Sequence, residues 1–136
     1  MKFEMKSSAA AIGLIVGSVM ATMAFAAGTD WEAPKDADRY TSLEKPTPAS
    51  IAAGKKVYEK YCLLCHGEQG KGNGASSGSL NIKPADFTDK ARMKAQSDGA
   101  IAYKIVVGRG PMPSWGPVLQ EPEVWNVINY IRTFSK

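Results

Sequence analysis

Two long stretches of the chain repeat apolar residues at helical spacing, and a shorter one lies between them. In the first, Ile51, Gly54, Val57, Tyr58 and Tyr61 recur three or four positions apart, while Lys55, Lys56 and Lys60 fall on the opposite face. Thr47 is the expected N-cap, with Pro48 at the first helical position, where an amide proton would have no intrahelical partner. The last stretch begins at Pro122 and carries a continuous stripe of Val124, Val127, Ile128, Ile131 and Phe134. Trp125 and Tyr130 add aromatic contacts, and Arg132 and Lys136 lie at the carboxyl end, where the helix dipole favours cations. Between these two, Ser97 is expected to cap a helix that runs to about Val107 and stops at Gly108, with Ile101, Tyr103 and Ile105 inward. Ala91 to Gln96 reads as a shorter helix. Glycine inside a helix costs roughly 1 kcal/mol, so Gly54 predicts the close approach of a second helix. No stretch reads convincingly as strand, and the expected class is all-α, with three to five helices.

The remaining segments lack a sustained period. Residues 28–49 hold Pro34, Pro46 and Pro48 among charged and small residues, and read as an extended leader that lies on the domain or tethers it. Trp31 and Tyr40 would pack on the surface; a partner-docking arm is the alternative. The run from Gly67 to Ser79 is rich in glycine and serine. It is no phosphate loop, because no strand precedes it and no Gly-Lys-Ser/Thr closes it. At the start of the chain, Lys2 and Lys6 precede an apolar run from Ala9 to Phe25 that ends in Ala24-Phe25-Ala26. This is the form of an export signal cleaved before Ala27. The run is almost long enough to span a bilayer, so an uncleaved membrane anchor is the alternative. The expected division is therefore a signal peptide over 1–26, a leader over 27–46 and one folded domain over 47–136.

Charge narrows the partners. The whole chain has 17 basic and 13 acidic side chains, and loss of residues 1–26 would leave fifteen and twelve. A net charge of about +3 fits an acidic docking face on a protein better than nucleic acid or anionic lipid. A mature domain of this size buries a modest core, and a prosthetic group inside it would supply much of the missing apolar contact.

Cys62-Leu63-Leu64-Cys65-His66 supplies that group. Cys-x-x-Cys-His is the attachment signature of c-type haem. Two thiols about one helical turn apart can add to the vinyl groups on one porphyrin edge, and the adjacent imidazole can ligate the iron. The counts exclude a four-ligand zinc site, since these are the chain's 2 cysteines and its single histidine. A thioredoxin-like dithiol expects a strand before the motif, where this chain has a helix. The carbonyl of Pro84 is the candidate acceptor for the other ring nitrogen of His66. For the sixth iron position, removal of the signal leaves Met93 and Met112 as thioethers. Met93 lies in a polar segment typical of a surface or gap-filling residue. Met112 lies between two helices and is flanked by Pro111 and Pro113, which stiffen the backbone around one sulfur. An open or lysine-ligated iron is the remaining option.

The order of helix, Cys-x-x-Cys-His, glycine-rich loop, helix, Gly108-x-Gly110-x-Met112-Pro113 and aromatic C-terminal helix resembles the class I c-type cytochromes. It is most similar to the monohaem family around the cbb3-oxidase subunit III. The resemblance covers about residues 47 to 135. It implies a small cytochrome c fold around one covalent haem c, with Cys62 and Cys65 as thioether sites, His66 as proximal ligand and Met112 as distal ligand. Gly54 and Tyr130 match the positions where the first and last helices cross. Arg109 and Trp115, with Pro84, are candidate haem contacts. The implied function is single-electron transfer in the periplasm between redox protein partners, among them a terminal oxidase or a dehydrogenase, without enzymatic turnover. Two alternatives are a haem c subunit of a larger oxidoreductase and a haem enzyme or gas sensor with an open sixth position.

Overall fold

The computed structural model describes residues 31–42 and 45–136. The expected signal peptide lies outside them. Among the described residues the regular structure is helical: α1 (Pro48–Tyr61), α2 (Leu63–His66), α3 (Lys90–Ala95), α4 (Asp98–Val107) and α5 (Glu121–Ile131). The one β-type pairing is a lone bridge between Arg109 and Met112. This is the expected all-α class.

The caps explain where the helices begin. Thr47 Oγ1 accepts from the Ser50 amide at 3.0 Å and Ser50 Oγ accepts from the Thr47 amide at 2.9 Å, so two otherwise orphaned donors are satisfied reciprocally. Ser97 Oγ accepts from the Ala100 amide at 3.0 Å, which makes it the α4 cap, as predicted. Glu123 accepts from the Gln120 amide at 2.8 Å and closes the start of α5.

α1 crosses α5, and this crossing is the largest contact between elements. Val57 and Tyr58 from α1 meet Val124, Val127, Ile128 and Ile131 from α5 in the core, beneath Ile101, Ala102 and Ile105 of α4. At Gly54 the two backbones touch, and a β-carbon there would fall 1.9 Å from the carbonyl oxygen of Asn126. Above the crossing, the Tyr58 and Tyr130 rings meet edge to face at 5.3 Å, and Phe134 lies 5.4 Å from Tyr58. Asn129 Nδ2 donates to Ser50 Oγ at 3.1 Å on the same seam. Arg132, just past α5, ties in the middle helices: it donates to Asp98 at 2.8 Å, to the Gln96 carbonyl at 2.6 Å, and to the Met93 carbonyl.

The leader differs from the extended form expected. Lys35–Arg39 make a 3₁₀ helix that packs on α4, with Ala37 buried and the Ala37 and Tyr40 carbonyls lying against Gly99. The reason lies on α4. Gly99 leaves α4 without a side chain at that spot, and a short helical turn presents Ala37 to the gap better than an extended strand would. Trp31 is half-buried, with the Lys104 ammonium 6.0 Å from its ring centre.

Replacing Gly54 by alanine forces the Asn126 backbone to move, since the obstacle is a main-chain carbonyl rather than a side chain that can rotate. Overpacking of this kind costs about 3 kcal/mol. Urea denaturation of the holoprotein should show Gly54→Ala with a lower midpoint and an unchanged slope.

Candidate haem centre

α1 ends at Cys62, and α2 is one further turn that carries the rest of the motif. The Cys62 amide donates to the Tyr58 carbonyl at 2.8 Å, and the Cys65 and His66 amides both donate to the Cys62 carbonyl, at 3.2 and 2.9 Å. Cys62 and Cys65 are free thiols, each half-buried. Burial, with Cys65 beside it, pushes the Cys62 thiol up to about 12. A redox dithiol needs a depressed thiol pKa, so this environment argues against the thioredoxin-like alternative.

A helix as short as α2 leaves its carbonyls without intrahelical partners. The glycine-rich segment supplies them. Amides of Gly72, Gly74 and Ser76 donate to the carbonyls of His66, Cys65 and Leu64 at 2.8, 3.1 and 2.9 Å, so the segment runs back along the motif as a strap. Contact this close requires glycine. A β-carbon on Gly74 would lie 2.3 Å from the Leu64 carbonyl oxygen, and one on Gly72 would lie 2.3 Å from the Pro84 carbonyl oxygen. From beneath, the buried Tyr58 hydroxyl donates to the Gly67 carbonyl at 2.7 Å, and burial raises the Tyr58 hydroxyl pKa well above its ordinary value.

The segment that follows the strap holds the His66 ring. Its Nδ1–H donates to the carbonyl of Ala85 at 3.2 Å, and the Phe87 ring stacks on the imidazole at 4.5 Å with the planes 15° apart. The acceptor is Ala85 and not the predicted Pro84, because the Pro84 carbonyl is turned onto Gly72. Burial lowers the His66 pKa, with the Ala85 hydrogen bond opposing, so the neutral imidazole is favoured. Nε2 has no partner among the described residues. No buried side-chain nitrogen or oxygen among the described residues lacks one, so Nε2 reaches accessible space.

Met112 sits where the turn after α4 reverses. Arg109 and Met112 exchange backbone hydrogen bonds at 2.9 and 3.1 Å around Gly110, whose φ is 57°. Trp115 and Gly116 amides then donate to the Ile105 and Val106 carbonyls at 3.0 and 3.1 Å, which staples the turn to the end of α4. Met112 is half-buried against the core, as are Tyr61, Cys62, Leu63, Phe87 and Trp115. Met93 is instead fully in the core, a gap-filling residue beneath Arg132. Trp115 packs on Tyr61 at 5.0 Å, and Arg109 is exposed.

These residues fit a haem. Two free thiols sit one turn apart, beside an imidazole whose outer nitrogen is engaged and whose inner nitrogen is open. A hydrogen-bonded turn holds one thioether, and partly buried apolar side chains pack on the core beside it. A surface cleft of about 540 Å³ is lined by Leu63, Leu64, Gly67 and Gly74, and none of the four candidate donors lines it.

The comparisons agree. A family model described as cytochrome c oxidase, cbb3-type, subunit III matches residues 49–131. The chain belongs to this family. It is a c-type cytochrome, a protein of electron transport that binds haem c. A cytochrome c6 from Chlorolobion braunii is 35% identical over 88 residues, which cover 61% of this chain and 89% of the relative. The cbb3-type cytochrome c oxidase subunit FixP from Azorhizobium caulinodans is 35% identical over 103 residues, 73% of this chain but 33% of that protein. The chain thus spans about a third of that longer relative. Among solved structures, a chain of the Kuenenia stuttgartiensis reducing HAO-like protein complex matches with a TM-score of 0.63 and 29% identity, over 74% of this chain and 55% of that one.

Three residues of the site went unnamed in the sequence: Ala85, Phe87 and Gly67, the last as the tyrosine acceptor. Asp86 followed by Thr88 was the available signal for the turn that carries Phe87, since an aspartate side chain bonds its own backbone two residues on. Asp86 Oδ1 accepts from the Thr88 amide at 2.8 Å and from its hydroxyl at 2.6 Å, and these bonds lower the Asp86 pKa. A carboxyl depressed in the fold contributes stability above its ordinary value of 3.8 that is lost as pH falls through and below it. Denaturation of the holoprotein at a series of pH values should therefore show a shallower acid loss for Asp86→Asn than for the native chain.

Proposed function

We propose that the chain is an exported monohaem cytochrome that carries single electrons between redox proteins, with Cys62 and Cys65 as thioether sites and His66 and Met112 as axial iron ligands. The observation that carries this reading is the state of His66. Its Nδ1–H is engaged by Ala85, burial favours the neutral ring, and Nε2 is open. A bound haem supplies a reversible ferric/ferrous couple. The chain's part is to hold that group in place and bias its potential. The Ala85 carbonyl fixes the tautomer and aims Nε2. The turn from Arg109 to Met112 presents a neutral sulfur, which favours the ferrous form and raises the potential. Leu63, Phe87 and Trp115 exclude water from the faces they cover. Arg109, Trp115 and Pro84 remain candidates for contact with the haem rim.

A carrier fits better than an enzyme or an open-site sensor. The chain's single histidine is committed to the site, which leaves no second imidazole for distal acid–base chemistry. The partners are an electron donor and an acceptor, with no call for nucleic acid. Membership in a larger oxidoreductase is the second reading, favoured by the match to one part of a longer oxidase subunit. Co-purification of the exported protein with other subunits would support it. Residues 1–26 act as an export signal and 47–136 form the haem domain in this reading, which places the protein in the periplasm. No helix among the described residues is long and apolar enough to cross a membrane.

Carbon monoxide tests the ligands. The reduced native holoprotein should keep its visible spectrum under carbon monoxide, while Met112→Ala should bind the gas and show a lowered potential. Ready binding by the native protein would replace the carrier with the open-site reading. Mass spectrometry of the exported protein should give a chain that begins at Ala27; a mass that begins at Met1 would point to a membrane-anchored form.

A further inference from the structure

The segment after the strap forms a bracket around His66 that ligation alone does not call for. Ala85 supplies the acceptor at 3.2 Å, and two residues later the Phe87 ring lies nearly parallel to the imidazole, with centroids 4.5 Å apart and planes at 15°. Phe87 is itself held on both sides. Its amide donates to the Gly70 carbonyl at 2.7 Å, and the Asp86 carboxylate closes the turn onto Thr88 at 2.8 and 2.6 Å. Gly70 is in turn seated on the Phe134 ring, so the bracket reaches the C-terminal helix.

A single hydrogen bond at Nδ1 sets where one edge of the imidazole lies, but leaves the ring free to rock about the line from nitrogen to oxygen. A parallel aromatic face removes that freedom, because rocking drives imidazole atoms into the neighbouring ring. Offset stacks of this kind also contribute about 0.5–1.5 kcal/mol beyond the area they bury.

The geometry points to Phe87 as a positioning residue that sets the plane of the His66 imidazole, and through it the orientation of that plane over a bound haem. This rests on the reading of His66 and Met112 as ligands. In low-spin ferric haem the half-filled iron orbital is oriented by both axial ligands, so with the thioether unchanged a rotation of the imidazole plane turns it. The unpaired spin therefore reaches the ring methyl groups unequally, in a pattern that reports the plane.

Proton NMR of the ferric holoprotein tests this, with native chain, Phe87→Leu and Phe87→Tyr compared. Leucine fills the site with apolar volume but has no flat face, and tyrosine keeps the face. Phe87→Tyr should retain the native order of haem methyl shifts, and Phe87→Leu should reorder them. A packing role alone predicts native-like shifts in both. Methyl shifts in Phe87→Leu that match the native protein would overturn the inference, and Phe87→Met serves as the unstacked variant should the leucine form fail to take up haem. Failure of the ligand reading looks different: the native ferrous protein would then lack the strongly upfield methyl resonance of a bound thioether.

Discussion

The contact on which the rest of the structure depends is the crossing of α1 and α5 at Gly54. Because a backbone carbonyl of α5 occupies the space of a missing side chain, the two axes approach more closely than any larger residue would permit. That closeness sets everything one turn further along. It brings Tyr58 under Tyr130 and Phe134, and it aims the end of α1, where Cys62 begins the motif. From there two links run upward from the crossing into the haem motif. The Tyr58 hydroxyl holds the Gly67 carbonyl, next to His66, and the Phe134 ring supports Gly70 in the strap. The helix pair is thus both the core of the protein and the foundation of the haem motif.

The strap solves a problem that a haem motif on a one-turn helix creates. Four residues cannot satisfy their own carbonyls, and a motif that must expose one face to a planar cofactor cannot bury them under another helix on that face. A returning segment with glycine at alternate positions satisfies them from the opposite side at hydrogen-bonding distance. A glycine-rich composition that resembles a flexible linker is here a consequence of close approach, with Gly72 and Gly74 against backbone and Gly70 against the Phe134 ring.

The helices and the motif were legible because each rests on local rules. Thr47, Ser97 and the stripe of α5 follow capping and periodicity, and Gly54 inside a helix announced a crossing before a partner was visible. What depended on the exact path of a loop was less legible. Pro84 and Ala85 are neighbours, and which carbonyl meets His66 turns on the approach of Gly72 to Pro84, a contact between segments that no spacing encodes. The 3₁₀ turn of the leader was hidden for the same reason. Its cause is a gap on α4 at Gly99, sixty or so positions away in the chain. Phe87 had no signal of its own, since stacking is a property of two rings brought together by the fold.

The two candidate ligands are anchored to different parts of the molecule, and this bears on what the site can do. His66 is bracketed by Ala85 and Phe87 and supported through Tyr58 and Phe134 by the helix crossing. Met112 is held by a turn stapled to the end of α4, and Arg132 ties the start of α4 to the end of α5. With both as ligands, a change of iron oxidation state has little freedom to move either one, since each is fixed by backbone hydrogen bonds that do not involve the other. A small structural change between oxidation states lowers the barrier to electron exchange. It equally resists the loss of a ligand that substrate or gas binding at the iron requires. With that ligation the same rigidity would favour a carrier over an open-site catalyst, so the turn at Met112 and the bracket at His66 bear on the proposed function together.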